Sequence, residues 1–584
     1  MLTGKISINK RALIISSIVG LLFGVLNCIG YAADKTGELM VGAPLWWLCM
    51  ILITLIVTVL FYIFLIGTDK KCHKDDSSEN SDTGCIADFV GAKVSLKQVV
   101  ITAGIIFICW LPVFLAVYPG FFVYDATDEF VEVATRNFST HHPLLHVLLL
   151  GGTVCAGNKV FGNYNAGIAI YTIFQMLTVS AVFGWITVTD CSVEQTQKSR
   201  RISYILHLVW YGLFPTVVMF ALCSAKDTLF SAFMLIAVEM VYRLAVRIQS
   251  DSGMAEGKKT VMRELAVLLF ALVLMMLMRH NGVYAVLVLG IVAGIFLLIV
   301  NKRKKAESLS GTTGSRTYIA LAVLFVLVLG IYKLTDAGLV AVTHADTAEN
   351  QEILTVPIQQ IARCWGPYQS EMTKAEKDAV LTYIPESALA RYTPNLSDPV
   401  KVDFCNKSYA EKKGGFIKVW LKLMRKHPLS YINAWVDTSY GFYYPWTVVN
   451  VYEGHTVYTF TYDESSYFGY ETENPGERHS FIPVIERFYR WLSLDDDIQR
   501  IPVLHLFFSM GALFWVYAFA MGLFIYKKNY AAFTALSLPA GVWLTLLLGP
   551  TFLPRYTVFL WFILPVCIRI VIHTLSFDYK KRLV

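Results

Sequence analysis

The sequence predicts a mainly α-helical polytopic membrane protein of about twelve transmembrane helices, with a juxtamembrane helix and a mixed α/β extracytoplasmic domain. Of its 584 residues, 55% are hydrophobic and only 16% are charged, which is less charge than a soluble chain of this length carries. The formal net charge of +7 bears on orientation, because Lys and Arg collect in cytoplasmic loops. No basic–aromatic patch indicates nucleic-acid binding, so the lipid bilayer is the expected partner.

Apolar runs of roughly 20 residues, the length that crosses the hydrocarbon core of a bilayer, recur along the chain. The first run follows Lys10 and Arg11 and resembles a signal peptide, but its length favours a retained anchor. The predicted spans are residues 12–32, 45–67, 98–118, 166–188, 202–222, 228–247, 264–279, 283–300, 317–335, 501–526, 530–549 and 556–575.

One further apolar segment, residues 143–161, is broken by Gly151-Gly152 and decides the topology. If it crosses the membrane, the basic loops at Lys198, Lys258 and Lys302 lie outside, against the positive-inside bias. If it lies flat on the outer surface as a juxtamembrane helix, all three loops fall inside. The second interpretation predicts a cell-membrane protein with both termini in the cytoplasm.

This topology divides the chain into four parts. Residues 1–97 hold two N-terminal transmembrane helices and a cytoplasmic linker, and residues 98–335 form a transmembrane core with a first outer loop at 119–165. Residues 336–500 form the extracytoplasmic domain, and residues 501–584 hold the last transmembrane helices and a basic cytoplasmic tail.

Within the extracytoplasmic domain, helix and strand signals are both present. Thr373 with Glu376 three residues later forms a capping-box pattern that predicts a helix over residues 373–381. Residues 446–460 alternate weakly, which favours a strand. Cys364 and Cys405 lie in this region, where a disulfide and two free thiols are both open.

Carboxylates are concentrated in the first outer loop, where Asp125, Asp128 and Glu129 follow the third span. Acids at a membrane interface often mark only the end of a helix. Here, however, His141 and His142 follow a segment that can form an amphipathic helix lying on the membrane. Such a helix would bring the acids and the two histidines into one outer-surface cleft. These residues are therefore candidates for catalysis and substrate binding.

Burial of Asp125 among Phe121, Phe122 and Tyr124 would raise the pKa of its carboxyl toward the range of a general base. Such a base accepts a proton from a hydroxyl as that oxygen attacks. The sequence contains no GxSxG, HExxH, Walker loop or paired CxxC that would indicate another chemistry.

Cations and polar residues are also predicted at the outer ends of later spans. Lysine snorkelling or helix-end anchoring explains any one of them, but several on one face with the acids indicate a site. Arg suits a phosphate ligand because its planar fork donates two aligned hydrogen bonds. The candidate substrate-binding residues beyond the two histidines are Lys226, Asp227, Arg279, Asn281, Arg555 and Tyr556.

The histidine pair also has a metal interpretation, in which His141, His142 and Asp125 bind a cation together. Adjacent histidines rarely point the same way, so we predict substrate binding and no metal site. A divalent cation is left open as a cofactor.

The outer-loop residues resemble those of the GT-C superfamily of integral-membrane glycosyltransferases. More narrowly, the chain is similar to uncharacterised bacterial polytopic proteins related to the protein mannosyltransferase and aminoarabinose transferase type. The resemblance covers residues 98–335 and 501–575. It is carried by Tyr124-Asp125, Asp128-Glu129, His141-His142-Pro143, Lys226-Asp227, Arg279-His280-Asn281-Gly282 and Arg555-Tyr556.

The resemblance implies a polyprenyl-phosphate-linked sugar as donor, an extracytoplasmic active site and inversion at the sugar carbon. The acceptor would be a hydroxyl of a cell-envelope glycan, lipid or protein. Asp125 maps onto the catalytic base, with Asp128 as its rival, Asp227 maps onto the second-loop acid, and Arg555 maps onto the phosphate clamp. The chain differs from the family in its two extra N-terminal spans and in the position of its extracytoplasmic domain.

Two other classes of function compete with this expectation. A lipid or polysaccharide transporter or flippase would require ionisable groups near the bilayer midplane and matching broken helices, a pattern that the sequence does not display. A role as a non-catalytic envelope assembly protein would explain the large polar region, but it would assign no function to the outer acids and cations.

Overall fold

The computed structural model describes residues 9–72, 94–194, 196–249, 258–306, 315–347, 350–450 and 467–576. Long apolar helices account for most of the first half of these residues. The described helices of this half, including the short α4 and α8, are α1 (Lys10–Thr36), α2 (Pro44–Cys72), α3 (Leu96–Ala116), α4 (Ala126–Thr135), α5 (Leu144–Phe161), α6 (Tyr164–Val193), α7 (Gln197–Leu213), α8 (Pro215–Ala221), α9 (Lys226–Gln249), α10 (Lys258–Met278), α11 (Gly282–Ala306) and α12 (Ser315–Thr343).

Short helices dominate the region that follows, and three long helices end the chain. The helices are α13 (Thr355–Tyr368), α14 (Lys374–Leu381), α15 (Glu386–Leu389), α16 (Asp398–Lys401), α17 (Asn406–Glu411), α18 (Lys413–Lys426), α19 (Pro428–Ser439), α20 (Pro483–Leu494), α21 (Asp497–Arg500), α22 (Pro502–Phe508), α23 (Met510–Lys527), α24 (Tyr530–Leu546) and α25 (Val558–Ser576).

Eleven helices are long and apolar enough to cross a membrane, or up to twelve if the bent pair α7–α8 is one span. The pair bends by 55° at Phe214, because Pro215 disfavours helical geometry at the residue before it. α5 is among the eleven, whereas α24 is a shorter apolar helix. The prediction of a polytopic helical membrane protein is confirmed.

The predicted α/β character of the extracytoplasmic region is not found in the part of the chain that is described. Residues 350–450 and 467–500 contain helices and irregular segments without a strand, apart from isolated bridges such as Tyr118 with His479. Most of the predicted strand, residues 451–460, lies outside the described residues. The capping box of Thr373 and Glu376 is confirmed at the start of α14.

The region from α13 to α19 has its own apolar core, separate from that of the bundle. Ile358, Trp365 and Phe416 belong to this core, and Cys364 is buried with them. Cys364 and Cys405 are both free thiols, so the open question of a disulfide between them is answered in favour of free cysteines.

α5 packs antiparallel against the first part of α6. Gly157 lies so close to Gly167 that a Cβ on Gly157 would be 2.2 Å from the Gly167 Cα, and His146 bonds to the Tyr171 hydroxyl at 2.7 Å. α3 instead packs along a later part of α6, around Gly184. The two helices therefore lie along different segments of α6.

The long helices alternate between two chemically different ends of the bundle. α9 runs from Lys226 to an ion pair between Arg247 and Glu264, and α10 returns from that pair to Arg279. Arg279 then pairs with Asp227 beside Lys226. The basic segments around residues 198–201, 302–305 and 527–528 lie at the Arg247 end, opposite the predicted site.

Replacement of Gly157 by Ala tests the packing of α5. We expect Gly157→Ala to destabilise the folded protein by about 1–3 kcal/mol, because the added methyl group overpacks against backbone atoms of α6. Gly152→Ala in the same helix is the matched control, since a Cβ there meets nothing within 4 Å. Thermal unfolding of the two purified variants checks this. A melting temperature of Gly157→Ala equal to that of Gly152→Ala would contradict the packing.

Candidate functional site

A polar cavity of about 750 Å³ lies at the end of the bundle where α4, α9 and α11 begin. The segment around Glu352 and helix α16 also line the cavity. The predicted residues that line it are Asp125, Asp128, His141, His142, Lys226, Arg279, Asn281, Arg555 and Tyr556. Glu129 and Asp227, the other two predicted residues, lie behind this wall and contact its cations.

Asp125 lies at the centre of the charged groups in this cavity. One carboxylate oxygen accepts a hydrogen bond from Arg555 Nη1 at 3.0 Å, and the other accepts one from Lys226 Nζ at 2.5 Å. The two partners are 430 and 101 residues away in the chain, so only the folded bundle assembles the group.

The pKa of Asp125 is shifted in the direction opposite to the one predicted from its aromatic neighbours. Burial alone would raise the pKa, but Arg555 and then Lys226 hold the pKa of the Asp125 carboxyl well below its usual range. The expected rise is therefore wrong, because it omitted the two cations. The carboxylate is ionised and paired in this arrangement.

Tyr124 contacts Arg555 and so helps to position that side chain. The Arg555 guanidinium lies 4.7 Å from the centre of the Tyr124 ring, and the Tyr124 hydroxyl accepts a hydrogen bond from the Gly469 amide at 2.9 Å. Tyr124 has a φ of 65°, a left-handed conformation that non-glycine residues seldom adopt. Phe121 and Phe122 are fully buried in the apolar core.

Lys226 lies among three groups that could otherwise bind a metal ion. One ligand atom each of Asp125, Glu129 and His142 falls within 4.8 Å of the others. The Lys226 ammonium is 2.5 Å from Asp125, donates to His142 Nδ1 at 3.0 Å and lies 3.6 Å from Glu129. These residues fit a divalent cation only if the ammonium leaves, because it already supplies positive charge between them.

The metal interpretation drawn from the histidine pair does not match this set, since His141 is not part of it. His141 faces Glu352, with 4.0 Å between His141 Nδ1 and the carboxylate. His142 is buried against Lys226, and both burial and this ammonium hold the pKa of the His142 imidazole well below its usual range. His142 is therefore neutral and accepts the Lys226 hydrogen bond.

Glu129 supports Lys226 from behind through a buried chain of hydrogen bonds. Its second oxygen bonds to His146 Nδ1, and His146 Nε2 bonds to the Tyr171 hydroxyl. That hydroxyl donates to Gln175 at 3.2 Å, whose amide donates to the Cys223 carbonyl at 2.7 Å. Sequence reasoning missed His146, although its spacing of four residues from His142 at the start of α5 is a usable signal.

Two arginines contact one tyrosine ring on the cationic side of the cavity. The guanidinium carbons of Arg279 and Arg555 each lie 4.8 Å from the centre of the Tyr556 ring. Asp227 pairs with Arg279 from behind, and Asn281 donates to Thr545 at 2.9 Å. These cation–π contacts and the Asp227 ion pair hold the two guanidinium groups beside the cavity, where each can donate hydrogen bonds to an anion.

Glu473 is the main cavity residue that sequence reasoning missed. Thr127 donates to one of its oxygens at 3.0 Å, and the other oxygen is buried with no hydrogen-bond partner. Burial, together with the charges of Asp128 and Asp125, raises the pKa of Glu473 to about 7, and the Thr127 hydrogen bond opposes this rise. No local motif marks this residue, because only the fold brings it to Thr127.

The fold and the cavity together define a polytopic helical membrane protein with one charged site at the end of its bundle opposite the basic loops. A family model described as a family of unknown function (DUF6020) matches residues 132–545, and the chain belongs to this family. The matched segment includes His142, Lys226 and Arg279, while Asp125 and Arg555 lie on either side of it. No curated protein and no solved structure matches the chain.

Removal of the Lys226 side chain tests whether its ammonium occupies a cation position. We expect Lys226→Ala to be stabilised by millimolar Mn²⁺ or Zn²⁺, because Asp125, Glu129 and His142 would then bind the ion, and a ligand stabilises the state it binds. The melting temperature of the wild-type protein should not respond to either ion or to a chelator. A wild-type melting temperature that changes with a chelator would contradict this assignment. A Lys226→Ala melting temperature that neither ion raises would also contradict it.

Proposed function

We propose that the protein is an inverting membrane glycosyltransferase of the GT-C type. It would move a sugar from a polyprenyl-phosphate donor to a hydroxyl of an extracytoplasmic cell-envelope glycan, lipid or protein. The observation that carries the proposal is the cavity in which Asp125 meets Lys226 and Arg555. One wall of this cavity carries cations that can bind a phosphate. The same cavity contains carboxylates that can accept the proton of a hydroxyl group.

The distribution of charge supports an outward-facing cavity. The described basic segments, at residues 198–201, 302–305 and 527–528, lie at the opposite end of the bundle from Asp125. Because positively charged loops stay in the cytoplasm, this arrangement favours an extracytoplasmic site and cytoplasmic termini. The lipid-linked donor and the acceptor would then meet on the outer side of the cell membrane.

The apolar surface beside the cavity supports a lipid-linked donor. Asn281 at the start of α11 and Leu546 at the end of α24 line the cavity. On the same two helices, Tyr284 and Leu544 are exposed on the outside of the bundle, with 62% and 54% of their surface accessible. A polyprenyl chain could lie along these apolar side chains in the bilayer while its phosphate reaches Arg555, Lys226 and Arg279.

The chemistry that fits this geometry is a single displacement at the sugar carbon. The acceptor oxygen bonds to that carbon from one side as the bond to the phosphate oxygen breaks on the other, which inverts the configuration. Asp125, with Asp128 as its rival, takes the hydroxyl proton. Polyprenyl phosphate leaves with the bonding electrons, and the cations meet its charge. A divalent cation held by Asp125, Glu129 and His142 is the alternative for that role, and it requires the Lys226 ammonium to leave these residues.

A lipid or polysaccharide transporter or flippase is the main alternative, and two features bear on it that the sequence did not reveal. The bundle contains buried charges, and α7–α8 is a broken helix. However, Arg569 pairs with Asp190 at 2.7 Å and with Glu239 at 2.6 Å, so these charges serve to join helices. Among the described helices this is the one pair of spanning length that bends by more than 40° at its break, whereas an inverted repeat would supply a second such pair.

Mass spectrometry of envelope polymers and lipid-linked sugars from a deletion strain tests the proposed function. We expect one sugar modification to disappear and its polyprenyl-phosphate donor to accumulate. Wild-type protein should restore the modification, whereas Asp125→Asn should lose at least about 100-fold in transfer, the usual effect of removing a general base.

Asp403→Asn is the control for this complementation, because it changes an exposed carboxylate of the extracytoplasmic region outside the cavity. It should restore the modification fully when membrane levels of the variants are equal. An unchanged envelope and lipid-linked pool in the deletion strain would reject the function. Full restoration by Asp125→Asn would reject Asp125 as the base.

A further inference from the structure

Two of the three cations assigned to the donor phosphate are already engaged by one protein carboxylate. Asp125 uses one oxygen for Arg555 and the other for Lys226. A carboxylate and a phosphate recruit the same charged donors with similar geometry. We propose that Asp125 acts as an internal anion in the donor-phosphate site and that a lipid-linked phosphate binds by displacing it from Arg555 and Lys226. This inference rests on the proposed function for the identity of the donor.

The contacts of Lys226 and Arg555 explain why binding would involve an exchange. An ammonium group has three N–H donors. Lys226 uses two of them in hydrogen bonds to Asp125 at 2.5 Å and to His142 at 3.0 Å, and Glu129 forms an ion pair with the ammonium at 3.6 Å. A phosphate that contacts Lys226 and Arg555 together must take the place of Asp125, because that carboxylate is hydrogen-bonded to both.

Burial identifies Asp125 as the group that withdraws. The side chains of Glu129 and His142 are 1% and 7% exposed, whereas that of Asp125 is 24% exposed and lines the cavity. Glu129 is also held by His146. Asp125 is the residue before α4, and its side chain makes no capping hydrogen bond to that helix. Its side chain can rotate without unwinding α4.

The exchange would couple the donor to the base. While Arg555 and Lys226 surround Asp125, the pKa of its carboxyl stays well below the usual range. Once the phosphate takes over both cations, burial of Asp125 is no longer offset and its pKa rises. Asp125 would then be a stronger proton acceptor in the donor-loaded protein than in the free protein.

Binding of farnesyl phosphate, a short polyprenyl phosphate, to the purified full-length protein in nanodiscs tests the exchange. We expect Asp125→Asn to bind at least about tenfold more tightly than wild type, because the ligand no longer competes with a carboxylate. Asp398→Asn is the matched control, since Asp398 lines the same cavity, pairs with a lysine and is 29% exposed. Its affinity should stay within about twofold of wild type.

The outcomes separate this inference from the proposed function. If wild type binds farnesyl phosphate and Asp125→Asn binds it equally or more weakly, the exchange is overturned while the glycosyltransferase proposal stands. If folded wild type and both variants fail to bind, the donor site and the exchange are both overturned. Inorganic phosphate is titrated in parallel, and equal affinities for the two ligands would overturn a lipid-linked donor.

A measurement on the wild type covers the case in which Asp125→Asn does not fold. The infrared difference spectrum on adding farnesyl phosphate, with farnesol as reference, should contain a shifted carboxylate stretching band as Asp125 leaves its cations. Unchanged carboxylate bands at saturating farnesyl phosphate would overturn the exchange.

Discussion

A single carboxylate shared between two cations constrains the rest of this structure. Asp125 pairs with Lys226 and Arg555, which belong to segments far apart in the chain. Partly buried charges are costly unless each finds an opposite partner. The N-terminal ends of α4, α9 and α25 must therefore stay close together. The other helices of the bundle form the scaffold that holds these three ends in place.

The scaffold meets this constraint by joining α9 and α25 at two levels. At the cavity, the Lys226 and Arg555 contacts join the starts of the two helices. About midway along α9, Glu239 pairs with Arg569 of α25, which also reaches Asp190 of α6. Ion pairs at two levels restrict sliding and tilting of the helices, so the cavity geometry is determined by the whole bundle.

The helical spans were predictable because a helix crossing lipid must satisfy its own backbone groups, which leaves a long apolar run in the sequence. The prediction that the acids and cations lie on one side of the membrane followed from topology alone, because every second loop between spanning helices lies on the same side. The pairing within that face was not predictable. The pKa of Asp125 depends on Arg555, a residue 430 positions away, and Glu473 reaches Thr127 only in the fold. No local pattern encodes such contacts.

The sidedness of the two bundle ends tests the account most directly, because the proposed chemistry requires an extracytoplasmic cavity. Single cysteines replace two exposed helical lysines, Lys407 on the cavity side and Lys198 on the basic side, in a variant without other cysteines. A membrane-impermeant maleimide should label Lys407→Cys in intact cells, and Lys198→Cys only after the cells are permeabilised. Labelling of Lys198→Cys in intact cells with protection of Lys407→Cys would contradict the account.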